Sequence, residues 1–288
     1  MSLKSRLQQS NILVAPGVYD GLTASLAAAA GFETLYLSGA AVSYTRLGRP
    51  DIGLTAVTEM ADTMALIADR TELPVIIDAD TGFGNALNAQ RTMRLYERAG
   101  ASALQVEDQT YPKRCGHLAD KSLIPADEMA GKVRAMADAR SSEDTLIIAR
   151  TDAIAVEGFQ AAIDRADAYL EAGADVLFIE APQSREQLTE IAQIFAPRVP
   201  LLANMVEGGA TPITGADDLE EQGYSIVIFP GGIVRAIGRT AVEYYESLRQ
   251  NGSNRPFADK MFDFNGLNDV IGTADMLAKG VAYDRNDS

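Results

Sequence analysis

Short apolar segments alternate along the chain with longer stretches of helical periodicity. Eight of these segments are continuous apolar runs rather than alternating ones, which is the pattern of parallel strands covered on both faces. We predict strands at residues 12–15, 34–37, 75–77, 103–106, 146–149, 176–179, 201–203 and 226–229. Alanine-rich helices are predicted between them, at residues 21–30, 58–70, 86–99, 126–139, 159–172 and 185–195.

The helical stretches end in a recurring way that helps to count the units. A glycine follows the last turn at Gly31, Gly100, Gly173 and Gly223, where a left-handed residue can end a helix. Eight strand–helix units predict an α/β fold in which residues 1–251 form a closed (β/α)8 TIM barrel. The runner-up, a doubly wound open sheet, needs a glycine-rich phosphate loop after the first strand, and residues 16–20 do not match one.

Residues 252–288 follow the point where the barrel should be complete, and we predict that they form a separate helical tail. The tail carries a series of apolar side chains, namely Phe257, Met261, Phe262, Phe264, Leu267, Val270, Ile271, Met276 and Leu277. Extra apolar surface of this kind packs either on its own barrel or on a neighbouring subunit. The pattern alone leaves these two alternatives equally open.

Composition narrows the functional class. The net charge of −15 argues against binding to nucleic-acid phosphates. The chain has no run of about eighteen apolar residues and no apolar signal segment near its start, so neither a membrane span nor a secretory signal is predicted. A single cysteine fits a reducing compartment, and we expect a cytoplasmic protein. The single histidine, His117, excludes a zinc or iron site built on several imidazoles, so any metal is expected to be held by oxygen.

Polar residues follow six of the eight predicted strands, at the end where barrel enzymes carry their active sites. They are Ser38-Gly39, Asp78-Ala79-Asp80, Glu107-Asp108, Arg150-Thr151-Asp152, Glu180 and Asn204. Converging carboxylates repel one another unless a cation lies among them. The expected ion is Mg²⁺, or alternatively Mn²⁺, held by few carboxylates and several waters.

Three aspartates in and near these segments carry more specific expectations. Asp78 and Asp80 are two residues apart, so their side chains should leave one strand end on the same face and point into the barrel mouth. For Asp152 we favour the ordinary interpretation, a helix N-cap or turn residue. Asp51 lies in the long connection after the second strand and is either a metal ligand or a turn aspartate.

The connection after the fourth strand contains the sequence Lys113-Arg114-Cys115-Gly116-His117. A lone cysteine is most often a small buried hydrophobe. In this polar loop, however, basic neighbours would favour the thiolate and make Cys115 a workable proton donor or acceptor. His117 could orient that thiol or hold a substrate carboxylate.

From about Val14 through the tail, the chain resembles the isocitrate lyase and phosphoenolpyruvate mutase superfamily. The resemblance is carried by residues 38–39, 48–51, 78–84, 107–109, 113–117, 149–153 and 204–205. The stretch at 113–117 is typical of the carbon–carbon lyases, and the chain looks most like the branches that cleave 2-methylisocitrate and 2,3-dimethylmalate. In this family the final helix of the barrel is exchanged within a dimer of dimers, so the resemblance implies a homotetramer and favours subunit contact for the tail.

The resemblance also implies residue roles. It makes Asp80 the Mg²⁺ ligand, with Asp51, Asp78 and Glu107 in its direct or water-mediated shell. The implied substrate-binding residues are Ser38, Gly39, Ala40, Gly116, Glu180 and Asn204. The implied catalytic set is Cys115 as the acid that protonates the departing carbon, Arg150 as the substrate anchor, and Lys113, His117 and Tyr36.

We therefore expect a retro-aldol type cleavage of a 2-hydroxy diacid or tricarboxylate into pyruvate, or another 2-oxo acid, and a carboxylate. Tyr36, a metal-bound water and a shell carboxylate are the candidate bases. Ala40 and Ala41 stand where 2-methylisocitrate lyases often have glycines, which shifts the expectation toward a dimethylmalate-like substrate.

Two other functions remain as alternatives. One is an oxaloacetate hydrolase or decarboxylase on the same scaffold, against which Pro230 argues because the hydrolase relatives typically carry serine there. The other is a non-catalytic dicarboxylate-binding protein, which would predict that some of the metal-binding carboxylates are missing.

Overall fold

Eight parallel strands surround a central axis in the computed structural model, which describes residues 2–116, 120–209, 211–212 and 215–284. They are β1 Leu13–Val18, β2 Leu35–Leu37, β3 Val75–Asp78, β4 Ala103–Glu107, β5 Leu146–Thr151, β6 Val176–Ile179, β7 Leu202–Asn204 and β8 Ile226–Phe229. Their order in the sheet is β6-β5-β4-β3-β2-β1-β8-β7. A parallel bridge between Leu177 and Leu201 joins the two ends, so the sheet closes. The predicted TIM barrel is confirmed, and the open-sheet alternative is wrong.

Twelve α-helices lie before, between and after these strands in the part of the chain that the structure describes. They are α1 Leu3–Arg6, α2 Gly21–Ala29, α3 Gly39–Val42, α4 Val57–Arg70, α5 Ala86–Arg98, α6 Ala126–Ala139, α7 Phe159–Glu171, α8 Arg185–Phe195, α9 Ala216–Gln222, α10 Gly232–Asn251, α11 Phe264–Ile271 and α12 Thr273–Asp284. The six helices predicted from alanine-rich stretches agree within one residue at each end. The four helix-ending glycines have φ values of 89–106°, as predicted.

Several short elements complete the chain. A π-helical turn, Ser43–Leu47, continues α3, and 3₁₀ turns occur at Ala153–Ala155 and Arg255–Lys260. The pattern of apolar residues predicts none of these, because each is too short to show a period.

Two apolar layers hold the barrel together. The outer layer lies between the strands and the surrounding helices and includes Leu37, Ile77, Met93 and Leu104. The inner layer fills the barrel itself with inward side chains of the strands, among them Ile76, Ile148 and Phe178. Leu3 of α1 belongs to this inner layer and lies at the amino end of the strands, where it closes the barrel. The carboxyl ends of the strands are thus the open mouth, as in other barrels of this type.

The C-terminal part of the chain packs differently from the barrel. None of the twenty residues of α10 is fully buried. In the tail, Phe257 is buried against Tyr244 at a ring-centroid distance of 5.5 Å, but Phe264 and Tyr283 are 82% and 78% exposed. Most of the predicted apolar tail side chains therefore remain exposed within the described residues, although α11 lies against α2 of the barrel. Within the same residues, no helix combines the length and apolar character needed to cross a membrane.

Candidate functional site

A cavity opens at the carboxyl ends of the strands and collects most of the predicted site residues. Of those, the cavity is lined by Tyr36, Ser38, Ala40, Asp51, Asp78, Lys113, Cys115, Gly116, Arg150, Glu180 and Asn204. Further lining residues, most of which the sequence did not single out, are Tyr44, Val206, Ile228, Pro230, Gly231 and Arg235. His117 lies outside the described residues.

Lys113 lies at the centre of the acidic side of this cavity. Its Nζ is 2.7 Å from Asp51 Oδ1 and 2.9 Å from Asp80 Oδ1, and all three side chains are buried. Burial alone would lower the pKa of Lys113, but Asp80 and Asp51 outweigh it and raise the pKa well above its usual value. Asp51 is consequently part of the site and not an exposed turn residue. We call Asp51, Asp78, Asp80 and Glu107, with Lys113 and Arg150, the mouth cluster.

Asp78 and Asp80 both reach the mouth, but strand alternation explains only the first. β3 ends at Asp78, and Asp80 has a left-handed backbone with φ +46°, which is uncommon for a non-glycine residue. The prediction that both side chains leave the end of one strand is therefore wrong for Asp80, whose side chain reaches the mouth from the turn after β3. The turn is fixed by the Asp80 N–H, which donates to Asp78 Oδ1 at 3.1 Å. Burial raises the pKa of Asp80 to about 7, with Lys113 opposing the shift and Asp78 and Asp51 adding to it.

Arg150, the last inward residue of β5, is held by acids on several sides. Its Nε and Nη2 donate to Asp152 at 2.9 and 3.1 Å, its Nη1 lies 3.4 Å from Glu107 Oε2, and its Nε lies 4.0 Å from Glu180 Oε2. Burial alone would lower the pKa of Arg150, but these acids outweigh it and raise the pKa well above its usual value. The guanidinium is thus fixed in place and permanently charged.

Asp152 is not the simple helix cap that we favoured from the sequence. It precedes the 3₁₀ turn at Ala153–Ala155, but its side chain makes no capping hydrogen bond. It is fully buried and binds Arg150 and Lys121, whose Nζ lies 2.8 Å from Asp152 Oδ1. Burial would raise the pKa of Asp152, but Arg150 and Lys121 lower it to about 2. Asp152 therefore orients a site residue.

Asp108 turns away from the site although it directly follows Glu107. It accepts hydrogen bonds from Thr151 Oγ1 at 2.7 Å, Tyr169 OH at 2.8 Å, the Asp152 N–H at 3.0 Å and Arg165 Nη1 at 3.4 Å. We call Asp108, Thr151, Arg165 and Tyr169 the rear network. Glu107 faces the mouth instead, where its Oε2 approaches Arg150 and its buried Oε1 has no hydrogen-bond partner among the described residues.

Gln105 is a site residue that the sequence analysis missed. It accepts a hydrogen bond of 2.5 Å from Tyr36 OH and points its Nε2 toward Asp78 Oδ1 at 3.5 Å. Burial, followed by the charge of Asp78, raises the pKa of Tyr36 well above its usual value. Tyr36 is thus held as a neutral hydrogen-bond donor. The available signal was a glutamine in the middle of an apolar strand, where an inward polar side chain needs a partner.

The segment that carries Cys115 is tied down over the mouth. The Cys115 N–H donates to the Asp51 carbonyl at 3.2 Å, and Gln109 exchanges two hydrogen bonds with the backbone of Arg114 at 2.9 and 3.0 Å. Lys121 Nζ bonds the carbonyl of Gly116. A side chain at position 116 would come within 2.2 Å of Arg150 Nη2, so glycine permits this close approach.

The remaining predicted binding residues surround the same cavity. Ser38 Oγ accepts from the Ala41 N–H at 3.2 Å and so begins α3, whose first N–H groups, at Gly39 and Ala40, have no partner inside the helix. Asn204 Nδ2 donates to both oxygens of Glu180 at 3.2 and 3.3 Å. These contacts fix the orientation of Glu180 beside Arg150.

The mouth cluster has the donor set of a hard-cation site. Its four carboxylates face only two cationic side chains, and one buried oxygen of Glu107 lacks a hydrogen-bond partner among the described residues. Within the same residues, no three acidic, cysteine or histidine side chains converge closely enough to share one ion. Mg²⁺ fits such an arrangement because it binds through one or two carboxylates and keeps several waters.

Comparison with known proteins gives relatives over almost the whole chain. It is 45% identical to 2-methylisocitrate lyase of Aeropyrum pernix, over 95% of this chain and 87% of the relative. It is 40% identical to 2,3-dimethylmalate lyase of Eubacterium barkeri, over 94% and 93% of the two chains.

Solved structures also match this chain over almost its whole length. A crystal structure of 2,3-dimethylmalate lyase matches with a TM-score of 0.92 at 37% identity, over 97% of this chain and 93% of that one. Oxaloacetate acetylhydrolase bound to 3,3-difluorooxalacetate also matches with a TM-score of 0.92, at 32% identity, over 100% and 97%. Phosphonopyruvate hydrolase in complex with oxalate and Mg²⁺ matches with a TM-score of 0.88 at 30% identity, over 98% of each chain.

The family model for phosphoenolpyruvate phosphomutase matches residues 3–249, which include every strand of the barrel and every described residue of the mouth cluster. The protein therefore belongs to the phosphoenolpyruvate mutase/isocitrate lyase family.

Proposed function

We propose that this protein is a Mg²⁺-dependent carbon–carbon lyase that cleaves a 2-hydroxy diacid, such as an alkylmalate or 2-methylisocitrate, into a 2-oxo acid and a carboxylate. The observation that carries the proposal is that acidic side chains and the segment that carries Cys115 meet at one cavity. Asp51 and Asp78 line one side with Lys113, which also binds Asp80. The Cys115 segment and Arg150, whose guanidinium lies beside Glu107, complete the enclosure. Close relatives named as lyases support the same reaction class.

Asp80 is the proposed direct ligand of Mg²⁺, with Asp51, Asp78 and Glu107 around it. Lys113 binds Asp51 and Asp80 in the structure and would neutralise part of their charge. The chemistry that Mg²⁺ supplies when bound is Lewis acidity toward the carboxylate and 2-hydroxyl of the substrate. The structure of phosphonopyruvate hydrolase with oxalate and Mg²⁺ supports this choice of ion.

The chain's own residues bind and orient the substrate. Arg150 is fixed by Asp152 and Glu107 and is proposed to bind a substrate carboxylate in bidentate fashion. Ser38 and the first N–H groups of α3 donate to the 2-hydroxy acid end. Tyr36 is better suited to donate a hydrogen bond than to act as the base, because burial holds its phenol protonated. The base is then a carboxylate of the mouth cluster or a water.

Cys115 is proposed to supply the proton that completes the reaction. When the 2-hydroxyl loses its proton, the bond between C2 and C3 breaks and C2 becomes the carbonyl of the 2-oxo acid. The electron pair of that bond stays on C3, which takes a proton from Cys115 Sγ. Cys115 lines the cavity, and the hydrogen bond from its backbone N–H to the Asp51 carbonyl, which holds this segment at the mouth, supports the assignment.

The direct test is a panel of 2,3-dimethylmalate, 2-methylisocitrate and oxaloacetate with Mg²⁺, in which release of 2-oxo acid or oxalate is followed. We expect 2-oxo acid from at least one hydroxy acid. Replacement Cys115→Ser should lower kcat by about 10²–10⁴-fold, the range of general acid catalysis, and leave product binding unchanged. Near wild-type turnover in that variant would remove Cys115 from the proton-donor role.

The second candidate activity is hydrolysis of oxaloacetate. The match to oxaloacetate acetylhydrolase favours it as an alternative. Pro230 lines the cavity here, where we expected serine for that activity. Oxalate formed from oxaloacetate without cleavage of any hydroxy acid would establish this second activity. A non-catalytic binding role is disfavoured because all four carboxylates of the cluster are present and buried.

For residues 252–288 we propose a role in subunit contact within a homotetramer. The exposure of Phe264, Met276 and Leu277 supports this assignment, since nothing in the described chain covers them. Light scattering should give a tetramer for the wild-type protein and a smaller species for Leu277→Glu. Lys279→Gln on the same helix is the matched control and should remain tetrameric. A monomeric wild-type protein would overturn the assignment.

A further inference from the structure

The turn that carries Asp80 has an unusual backbone. We call residues 80–84 the Asp80 turn. Four of its five residues, Asp80, Gly82, Phe83 and Gly84, have φ values of +46°, +81°, +59° and +145°. Left-handed conformations are uncommon for aspartate and phenylalanine, and they persist only where the surrounding structure holds them. Contacts with neighbouring elements must therefore hold this turn.

Helix α5 contacts the second half of the Asp80 turn. Thr92, which is buried, donates from its Oγ1 to the Gly82 carbonyl at 3.2 Å. A Cβ at position 82 would lie 3.2 Å from the Cβ of Ala89, so the turn lies directly against the helix. The ring of Phe83 packs edge-on against Tyr96 at a centroid distance of 6.4 Å. These contacts hold Gly82 and Phe83 from behind.

Helix α6 contacts the first half of the same turn through one side chain. Lys132 Nζ donates to the Thr81 carbonyl at 3.0 Å, and the lysine is only 3% exposed. Among the described residues this is the only hydrogen bond of the Lys132 side chain, and no ion pair accompanies it. Burial lowers the pKa of Lys132, while the charges of Glu128 and Asp108 favour its protonated form. An ammonium group is thus enclosed beside the turn with one backbone carbonyl as its partner.

Lysine is an unfavourable residue for a contact that serves the fold alone. A buried cation without a carboxylate partner is destabilising, and an uncharged donor could satisfy the same carbonyl. Charge-assisted hydrogen bonds, however, are about twice as strong as neutral ones. Lys132 therefore holds the Thr81 carbonyl firmly, and Thr81 is bonded directly to Asp80.

We propose that Lys132 is a positioning residue for Asp80, acting through the Thr81 carbonyl, with Thr92 in a smaller supporting role. The inference rests on the proposed function, in which Asp80 binds Mg²⁺. Lys132 is not among the residues that line the cavity, so its action on the site is indirect. It holds the Asp80 turn in the conformation that directs the carboxylate into the mouth cluster before a cation binds.

Positioning and simple electrostatics predict opposite effects of Lys132→Met on the binding of Mg²⁺. The substitution removes a positive charge from the neighbourhood of the mouth cluster. By charge alone, this removal would strengthen the binding of a divalent cation. Loss of positioning should weaken the binding instead, because the Asp80 carboxylate is no longer held in place. The direction of the change therefore separates the two effects.

The test measures the Kd of Mg²⁺ by titration calorimetry. Lys132→Met should raise the Kd by about 10–100-fold, the usual effect of removing a residue that orients a metal ligand. Thr92→Val, which removes the neutral hydrogen bond to the Gly82 carbonyl, should raise the Kd less. Lys132→Arg keeps a charged donor and should lie between Lys132→Met and the wild type.

The matched control is Tyr224→Phe, just before the amino end of β8. It also removes a buried hydrogen bond from a side chain to a backbone carbonyl, that of Leu188 at 3.1 Å. Its urea midpoint should fall while its Kd for Mg²⁺ stays that of the wild type. Unchanged or tighter binding in Lys132→Met, or equal weakening in Tyr224→Phe, would overturn the proposal.

Backbone hydrogen exchange gives a second readout that does not require Mg²⁺. In the metal-free protein, a peptide spanning residues 79–92 should exchange faster in Lys132→Met than in the wild type, and Tyr224→Phe should not change its exchange. If the wild type binds no Mg²⁺, the proposed function fails, and unchanged exchange in Lys132→Met would separately overturn the positioning role. If Lys132→Met does not fold, Thr92→Val and Lys132→Arg provide the same two measurements with smaller expected changes.

Discussion

Glu107 and Asp108 are neighbours in the chain, yet one belongs to the mouth cluster and the other to the rear network. Asp108 is surrounded by donors from Thr151, Arg165 and Tyr169, and both of its oxygens are hydrogen-bonded. Glu107 has one buried oxygen without a hydrogen-bond partner among the described residues, and burial raises its pKa well above the usual value despite Arg150. Burial raises the pKa of Asp108 as well, but its hydrogen bonds oppose that shift. Two carboxylates one residue apart thus differ in how far hydrogen bonds offset the cost of their burial.

The comparison distinguishes charged groups that support the fold, in the rear network, from charged groups that are available for function, in the mouth cluster. In the rear network each charge has its partners in the chain, so the network can stabilise the fold. In the mouth cluster the carboxylates repel one another, and their burial is compatible with folding only because Lys113 and Arg150 offset part of the charge. Substitutions in the rear network should therefore lower stability more than activity. Substitutions in the mouth cluster should lower activity more than stability.

The largest effect is expected for Asp80→Asn in the mouth cluster. Loss of the proposed metal ligand should lower kcat/KM by about 10³-fold or more, since several kcal/mol of charge stabilisation disappear. The free energy of unfolding without Mg²⁺ should stay equal or rise, because one of several mutually repelling carboxylates is removed. Product release and urea unfolding measure the two quantities. A marked loss of stability would show that the mouth cluster is structural after all.

A matched pair on one strand end gives the sharpest contrast. Asp108→Asn should lower the free energy of unfolding by about 2 kcal/mol, because it weakens the hydrogen bonds of the buried Thr151 and Tyr169 hydroxyls, while Arg165 keeps its pair with Glu157. The folded fraction should retain kcat within a few-fold. Glu107→Gln should do the reverse, with a large loss of kcat and a stability change below about 1 kcal/mol. If the two substitutions had equal effects on urea unfolding and on turnover, the proposed difference between the mouth cluster and the rear network would be wrong.

Addition of Mg²⁺ should stabilise the folded protein through the mouth cluster and independently of the rear network. At one hundred times its dissociation constant, the ion should stabilise the folded protein by about 2.7 kcal/mol, and the same increment should be seen in Asp108→Asn. Asp80→Asn should lose the increment. Thermal unfolding with Mg²⁺ and with a chelator provides the measurement, and an unchanged wild-type Tm would argue against a cation in the mouth cluster.

The smallest effect concerns a carboxylate near the surface whose hydrogen bonds are complete. Burial tends to raise the pKa of Glu97, but hydrogen bonds from Ser141, Thr145 and Ser142 outweigh it and lower the pKa. A depressed folded pKa contributes stability above the unfolded pKa, and that stability is lost as the pH falls through the folded value. Glu97→Gln should therefore cost about 0.5–1 kcal/mol at pH 7 and less at pH 3, by urea unfolding. An equal cost at both pH values would contradict this.

The barrel could be predicted almost entirely from the sequence, since continuous apolar runs mark buried parallel strands and glycines mark helix ends. The site could be predicted only as a set of residue types. The left-handed turn at Asp80 and the inward glutamine, Gln105, depend on contacts that periodicity does not describe. Asp152 was misjudged because its partners, Arg150 and Lys121, decide its role, and Lys121 is 31 residues away in the chain. The same is true of Arg235, which enters the cavity from the last helix of the barrel.

The hydrogen bonds of Asp108 have a consequence for how this family diverges. Arg165 and Tyr169 are one helical turn apart on α7, and both bind an acid that is 57 and 61 residues earlier in the chain. Loss of Asp108 removes the acceptor of the buried Thr151 and Tyr169 hydroxyls, whereas Arg165 keeps its pair with Glu157. Positions 108, 151 and 169 should therefore be replaced together during evolution, whereas residues at the rim of the cavity can vary one at a time as substrates change.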